Sequence, residues 1–167
     1  MKMTSLDPSL PKLLPLPHWT HPFRNWCPRL SDLTSLYLGD NDLSGPIPPE
    51  IGALTSLTFF LLYGNDLTGP IPSEIAALTS LADLELSGGN KLTGPIPFEI
   101  AALTSLTGLY LSNNDLTGPI PPEIGSLYLY NNVLTGSIPS EIGALTSLTK
   151  INLENNVLTG SMVPSPL

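Results

Sequence analysis

The amino-acid sequence predicts an α/β repeat solenoid, with one parallel β-sheet on a concave side and 3₁₀ or irregular segments on a convex side. Three observations predict this fold class. Near-copies of one unit fill the chain from Leu30 to its end. One asparagine marks each unit, and successive asparagines are 24, 25, 24, 18 and 24 residues apart. Within a unit, apolar residues recur first at every third and then at every second position.

A short alternating stretch in each unit predicts a β-strand. In the second unit Leu54, Leu57 and Phe60 are three positions apart, whereas Phe60 and Leu62 are two apart. A period of two is typical of a strand with one buried face. One coil cannot bury its own leucines, so we expect coils to stack at the strand spacing of about 4.8 Å.

An asparagine follows each predicted strand. A polar side chain at an interior turn is tolerated when it bonds to buried backbone groups, so we expect a ladder of asparagines that join adjacent coils. The alternative is that they are ordinary turn formers. The six residues are Asn41, Asn65, Asn90, Asn114, Asn132 and Asn156.

The return path of each coil contains an Ile-Pro dipeptide, which predicts an extended segment because proline lacks a backbone donor. These dipeptides begin at Ile47, Ile71, Ile96, Ile120 and Ile138. A glutamate recurs at one phase of the same path, which predicts a solvated convex column and not a catalytic carboxylate pair. Its members are Glu50, Glu74, Glu99, Glu123 and Glu141.

Two units depart from the common length. The third has one extra residue, Gly88 or Gly89, which a bulge can absorb without further effect. The fifth lacks six residues after Ile124. We expect its convex segment to be nearly absent and its strand to survive, with a kink in curvature or twist between coils four and five.

The domain boundary is predicted at Leu30. Residues 1–29 are expected to form an irregular N-terminal segment and a candidate degenerate cap, in which Trp19, Phe23 and Trp26 cover the first coil. Residues 30–167 are expected to form about six coils. The last residues lack an Ile-Pro stretch, so we predict a missing C-terminal cap and an exposed core face that favours self-association.

Composition excludes several classes of function. The net charge is −8 and the six basic residues are scattered, so we expect no nucleic-acid partner. Four prolines among the first 17 residues argue against a signal peptide, and no apolar run is long enough for a membrane span. His18 and His21 have no companions at metal-ligand spacing, and no histidine in the repeats activates a serine. We therefore predict a protein without catalytic activity or cofactor.

The repeat pattern LxxLxLxxNxLTGxIPxEIGxLTSL resembles the plant-type leucine-rich repeats of cell-surface receptors and their secreted relatives. The resemblance implies a right-handed coil and a receptor-like ectodomain, or a fragment of one, at the cell surface or outside the cell. Members of the family usually carry a cysteine pair near a tryptophan in the N-terminal cap, whereas Cys27 stands alone here.

The outward-facing strand positions are free of the repeat consensus and form the candidate binding site for a protein or peptide. We expect one aromatic cluster on the early coils, a second on the later coils, and two acids between them that select a basic residue. The predicted ligand-binding residues are Tyr37, Phe59, Leu61, Tyr63, Asp83, Glu85, Tyr110, Tyr128, Tyr130 and Asn152.

Two other functions stay open. A ladder of Thr55, Thr79, Thr104 and Thr146 on the convex edge is compatible with ice binding, although the short fifth coil interrupts it. The concave tyrosines are also compatible with stacking on a cell-wall polysaccharide.

Overall fold

A computed structural model describes residues 30–121, 126–140, 142 and 149–160. Within them, each coil contributes one strand to the predicted concave sheet, and all neighbouring strands are parallel. The chain order of the strands is also their order in space. They are β1 (Ser35–Tyr37), β3 (Phe59–Leu61), β5 (Asp83–Glu85), β7 (Gly108–Tyr110), β9 (Ser126–Tyr128) and β11 (Lys150–Asn152).

The concave sheet runs without offset from coil to coil. Leu36 pairs with Phe60, Phe60 with Leu84, and Leu84 with Leu109. These central residues are buried, whereas the residues on either side of them in each strand face the other way, as period two predicts. This in-register stacking places the outward-facing side chains in straight rows across the coils.

A second parallel sheet follows the asparagines, and the sequence-based prediction of one sheet missed it. Its strands are β2 (Ser44–Gly45), β4 (Asp66–Gly69), β6 (Lys91–Pro95), β8 (Asp115–Gly118), β10 (Val133–Gly136) and β12 (Val157–Leu158). Thr68 pairs with Lys91 and Thr93 with Asp115, which is a shift of two residues relative to the repeat. The second sheet is therefore staggered, whereas the concave sheet is not.

The convex side contains short 3₁₀ helices, as predicted. They span Pro49–Ala53, Ser73–Ala77 and Phe98–Ala102. Each has a glutamate in its first turn and buries one isoleucine, and the leucines spaced by three follow in turns. Glu74 is exposed, whereas Glu50 and Glu99 are half-buried. Glu123 and Glu141 lie outside the described residues.

The asparagine ladder is confirmed for the coils that follow the first. Asn65, Asn90, Asn114 and Asn132 are buried, whereas Asn156 is half-buried but makes the same bonds to the preceding coil. Asn90 accepts a hydrogen bond from the Leu67 N–H at 3.0 Å and donates to the Leu62 carbonyl at 3.0 Å, both in the preceding coil. Asn65 and Asn114 repeat both bonds. Each asparagine thus satisfies a donor and an acceptor of the coil before it.

For Asn41 the prediction of a buried ladder position is wrong. Asn41 is exposed and donates to the carbonyls of Leu38 and Gly39 within its own coil, at 3.0 and 2.8 Å. The physical reason is the direction of the ladder: each asparagine binds the preceding coil, and Asn41 belongs to the first coil that the structure describes.

Both length changes leave the strands intact. Gly88 and Gly89 adopt positive φ values of 77° and 100°, which glycine tolerates, and pairing continues on both sides of them. In the shortened coil β9 survives and pairs with β7 through Leu127 and Tyr128. The predicted loss of its convex segment falls mainly on residues 122–125, outside the described residues, and the predicted kink stays a prediction.

The fifth and sixth coils are less well covered than the earlier ones. Ile151 is 41% exposed, although its partner in register, Leu127, is 2% exposed, and Ile138 is 48% exposed. Self-association through the last coil stays a prediction. The expected cap aromatics Trp19, Phe23 and Trp26, like the C-terminal residues 161–167, lie outside the described residues.

Candidate functional site

The outward side chains of the concave sheet form two adjacent rows. One row contains Phe59, Asp83 and Gly108, which are paired in register. The other runs through Tyr37, Leu61, Glu85, Tyr110, Tyr128 and Asn152. Six of the ten predicted residues line one shallow cavity of about 290 Å³: Tyr37, Phe59, Leu61, Asp83, Glu85 and Tyr110.

The first aromatic cluster lies at the early end of this cavity. The rings of Tyr37 and Phe59 are 6.3 Å apart and inclined by 47°. Tyr37 is 61% exposed. Phe59 and Leu61 were expected to be exposed, but both are half-buried. A half-buried apolar floor beneath an exposed phenol offers both contact area and a polar group to a ligand.

Tyr63 belongs to the same cluster by sequence but lies away from the cavity. Its ring covers Gly39 of the preceding coil, since a Cβ placed on that glycine would be 2.5 Å from Tyr63 Cε1. The glycine thus leaves room for the ring to lie flat against the neighbouring strand. Tyr63 extends the aromatic surface along the third outward position.

The second aromatic cluster is a stacked pair. The rings of Tyr110 and Tyr128 are 4.9 Å apart and nearly parallel, at 14°. They join coil four to the shortened fifth coil, so the loss of six residues leaves this surface continuous. In the described part of the chain Tyr130 takes no part in the stack, although its carbonyl accepts from the Asn113 N–H at 3.0 Å.

Asp83 and Glu85 lie between the two clusters, as predicted, and both are half-buried. The Ser87 hydroxyl donates to Glu85 Oε1 at 3.2 Å and holds that carboxylate in place. A Cβ on Gly108 would lie 2.6 Å from Tyr110 Cε2 and would also meet the Asp83 carboxylate. The absence of a side chain at Gly108 therefore lets Asp83 and Tyr110 approach each other.

Burial raises the pKa of the Tyr110 hydroxyl above the ordinary tyrosine value, and the negative charge of Asp83 raises it further, followed by Tyr128 and Glu85. A tyrosine whose pKa is raised on folding contributes stability below the unfolded pKa and loses it as pH rises through the folded pKa. Tyr110 therefore stays neutral as a hydrogen-bond donor at physiological pH, and its contribution to stability falls only in strong alkali.

We predict that Asp83→Asn lowers the pKa of Tyr110, because it removes the largest charge effect on that hydroxyl. Alkaline titration of tyrosinate absorbance measures the change, and Tyr110→Phe identifies the affected transition by removing it. A high-pH transition unchanged by Asp83→Asn would contradict the close approach of the two side chains.

Asn152 lies at the far end of the row, in register with Tyr128. Its Oδ1 accepts from the Glu154 N–H at 3.0 Å, which fixes its side chain toward its own coil. Asn152 is therefore at the margin of the candidate site, two strands beyond the cavity residue Tyr110.

A second asparagine ladder on the surface was missed by the sequence-based prediction. Asn131 Nδ2 donates to Asn113 Oδ1 at 2.7 Å, and Asn155 Nδ2 donates to Asn131 Oδ1 at 2.7 Å. All three residues have positive φ, between 53° and 57°, a region that asparagine tolerates better than most residues. The Asn-Asn dipeptides of coils four to six are the signal that could have revealed it.

The described ranges offer few other groups of side chains for metal, membrane or surface binding. They hold no group of three or more His, Cys, Asp and Glu side chains placed to bind a metal ion. None of their helices is long and apolar enough to span a bilayer. Thr55, Thr79 and Thr104 are all exposed, one on each of three coils, whereas Thr146 lies outside the described residues.

Several solved structures of plant proteins are similar to this chain. The ectodomain of the Arabidopsis thaliana receptor kinase GASSHO1/SCHENGEN3, in complex with CASPARIAN STRIP INTEGRITY FACTOR 2, is 38% identical with a TM-score of 0.76 and covers 80% of this chain. The ectodomain of the Arabidopsis receptor kinase HAESA, bound to an IDA peptide hormone, is 34% identical with a TM-score of 0.74 and also covers 80%. A plant ice-binding protein is 32% identical with a TM-score of 0.68 and covers 78%.

The chain spans only part of these proteins: 17% of the GASSHO1 ectodomain, 23% of the HAESA ectodomain and 53% of the ice-binding protein. Among curated proteins, none matches the chain significantly. The Leucine Rich Repeat family model matches residues 32–54, 56–78, 105–127 and 125–145, which together make up more than half of the chain. With the stacked coils and the asparagine ladder, these matches show that the chain belongs to the leucine-rich-repeat family and is of the plant type.

Proposed function

We propose that the chain is a protein- or peptide-recognition module that binds an extended partner segment across its concave sheet. The observation that carries the proposal is the cavity in which Asp83 and Glu85 lie between Tyr37 and Phe59 on one side and Tyr110 on the other. Its likeness to an ectodomain bound to a peptide hormone supports this function.

The chemistry of the cavity favours a lysine or arginine of the partner. Two half-buried carboxylates attract a cation, and the flanking rings stabilise it through cation–π contacts worth about 0.5–2 kcal/mol each. The half-buried Phe59 and Leu61 supply apolar contact for the aliphatic part of the same side chain. The rigid sheet lowers the entropy cost of binding because the groups are already in place.

We predict that Asp83→Asn combined with Glu85→Gln abolishes the preference for a basic residue. The probe is an array of extended ten-residue peptides that differ only at the central residue, which is Arg, Lys, Gln or Glu. The native chain should retain the Arg and Lys peptides best, and the double variant should bind them at least about tenfold more weakly, a loss of about 1.4 kcal/mol.

The matched control removes the same amount of charge elsewhere. Asp42→Asn with Asp115→Asn changes two exposed carboxylates away from the concave sheet, and this variant should bind the array like the native chain. Equal losses in the two double variants would show a general charge effect, and no preference for Arg or Lys in the native chain would overturn the proposal.

Ice binding is a second candidate, favoured by the exposed threonine row and by the likeness to a plant ice-binding protein. The recognition proposal is preferred because the shortened fifth coil breaks the regular row that an ice surface would require. Thermal hysteresis at millimolar protein would support ice binding, and Thr79→Val should then alter it. For polysaccharide binding, the tyrosines would act without the two acids, so binding would survive Asp83→Asn with Glu85→Gln.

A further inference from the structure

A larger concavity of about 700 Å³ lies on a different face, along the Gly-Pro-Ile-Pro segments. We call it the proline groove. Its floor consists of buried isoleucines, such as Ile71 and Ile96, 3% and 4% exposed. The exposed prolines Pro70 and Pro95 precede the floor in each coil, and the 3₁₀-helix residues follow it. Because the coils repeat, each wall runs along the stacking direction.

The first wall of the groove is rigid and carries no backbone donor. Each proline packs on the glycine of the next coil: a Cβ on Gly94 would lie 3.6 Å from Pro70 Cβ, and one on Gly118 would lie 3.3 Å from Pro95 Cβ. Both glycines have a φ of 77°. The ring fixes φ and removes the N–H group, so this wall offers apolar contact and no backbone donor at the prolines.

The opposite wall carries an exposed aromatic ring. Phe98 is 78% exposed, although the same position holds Pro49 in the first coil and Ser73 in the second. The packing of the 3₁₀ helix therefore does not require a phenylalanine. A large apolar side chain left in water beside an apolar groove is typical of an interaction site.

The same wall is acidic. Glu74 and Glu99 line the groove, each in the first turn of its 3₁₀ helix. In the part of the chain that the structure describes, no lysine or arginine lines it: Lys91 contacts Asp66 at 2.6 Å, and Lys150 lies on the concave sheet. The charge of the groove is thus complementary to a cationic partner.

From this geometry we propose that the proline groove docks an extended segment of a partner protein in which basic residues alternate with apolar or aromatic ones. Successive side chains of an extended segment point to opposite sides, so alternate residues meet the two walls. Basic residues two positions apart in the segment are separated by about 6.6 Å, whereas neighbouring strands of adjacent coils are about 4.8 Å apart. The long, flexible side chains of lysine and arginine span the difference of about 2 Å, so successive basic residues can reach the glutamates of adjacent coils. The apolar residues contact the prolines, with Phe98 packing against the aliphatic stems of the basic ones.

The proline groove is independent of the concave site. Because both surfaces attract cations, the experiment must distinguish binding in the groove from binding on the concave sheet. We therefore use the Asp83→Asn, Glu85→Gln variant, in which the concave acids are neutral. The probe is the peptide acetyl-Lys-Phe-Lys-Leu-Lys-amide, titrated into isotope-labelled protein and followed by backbone amide chemical shifts. The expected shifts lie at Ile71, Glu74, Ile96, Phe98 and Glu99.

Phe98→Ser is the decisive change, since Ser73 occupies the same position in the preceding 3₁₀ helix. Phe98→Ser should lower the affinity for the peptide about tenfold. Glu74→Gln with Glu99→Gln should lower the affinity by a similar factor. Tyr37→Ser on the concave sheet is the control and should leave the affinity unchanged. Four results would each overturn the proposal. Two concern the chemical shifts: none appear, or they are confined to the concave strands. The other two are equal binding of acetyl-Glu-Phe-Glu-Leu-Glu-amide and no effect of Phe98→Ser on binding.

Discussion

Replacing Asn90 with alanine should lower the free energy of unfolding by about 3–5 kcal/mol. The Asn90 side chain is buried, accepts from the Leu67 N–H at 3.0 Å and donates to the carbonyls of Leu62 and Leu86 at 3.0 Å. Alanine would leave these backbone groups buried without their partner, and each unsatisfied group costs about 1–3 kcal/mol. Urea unfolding of the variant and the native chain measures the difference.

Asn41→Ala is the matched control for this effect. Asn41 is exposed, and its two hydrogen bonds stay within its own coil. Water can replace the lost amide there, so we expect a loss below about 1 kcal/mol. Similar losses for both variants would mean that the bonds between coils do not distinguish a ladder asparagine from a turn asparagine.

Replacing Phe60 with alanine should cost about 3–5 kcal/mol through the cavity it leaves in the core. Its side chain is fully buried, and the residue pairs with Leu36 on one side and Leu84 on the other. The same urea experiment applies. The loss is large because a repeat coil is stabilised mainly by its two neighbours, and Phe60 faces both.

Phe59→Ala provides the comparison within the same strand. Phe59 points to the opposite, concave face and is half-buried, so we expect its loss to cost about 1 kcal/mol. Equal destabilisation by the two substitutions would show that Phe59 belongs to the structural core, which would remove it from the candidate binding surface.

The repeat period made the concave sheet predictable. Identical spacing of Leu36, Phe60, Leu84 and Leu109 within their units allows only one register in which all of them are buried. The outward positions next to them then follow by alternation, which is why Asp83, Glu85 and Tyr110 could be placed together. The buried asparagines were predictable for the same reason, since one polar residue recurs at one phase.

Features that depend on a particular side-chain conformation were not predictable in this way. The lean of Tyr63 over Gly39 and the half-burial of Phe59 result from local packing that no consensus encodes. The second sheet was missed because strands such as β4 (Asp66–Gly69) are short, directly follow an asparagine and include the glycine of a Gly-Pro pair. These residues are typical of turns. Backbone pairing with the neighbouring coils overrides that local preference.

Amide hydrogen exchange tests most directly whether adjacent coils hold each other in register. The N–H groups of Leu43, Leu67, Leu92, Leu116 and Leu134 donate to asparagine Oδ1 atoms of the following coil at 3.0–3.1 Å. We expect the amides of Leu67 and Leu92 to be among the slowest to exchange, and we expect Asn90→Ala to accelerate exchange at Leu67 far more than at Leu116. If the Leu67 and Leu92 amides exchanged as fast as the exposed Gly89 amide, this result would contradict the claim that adjacent coils hold each other in register.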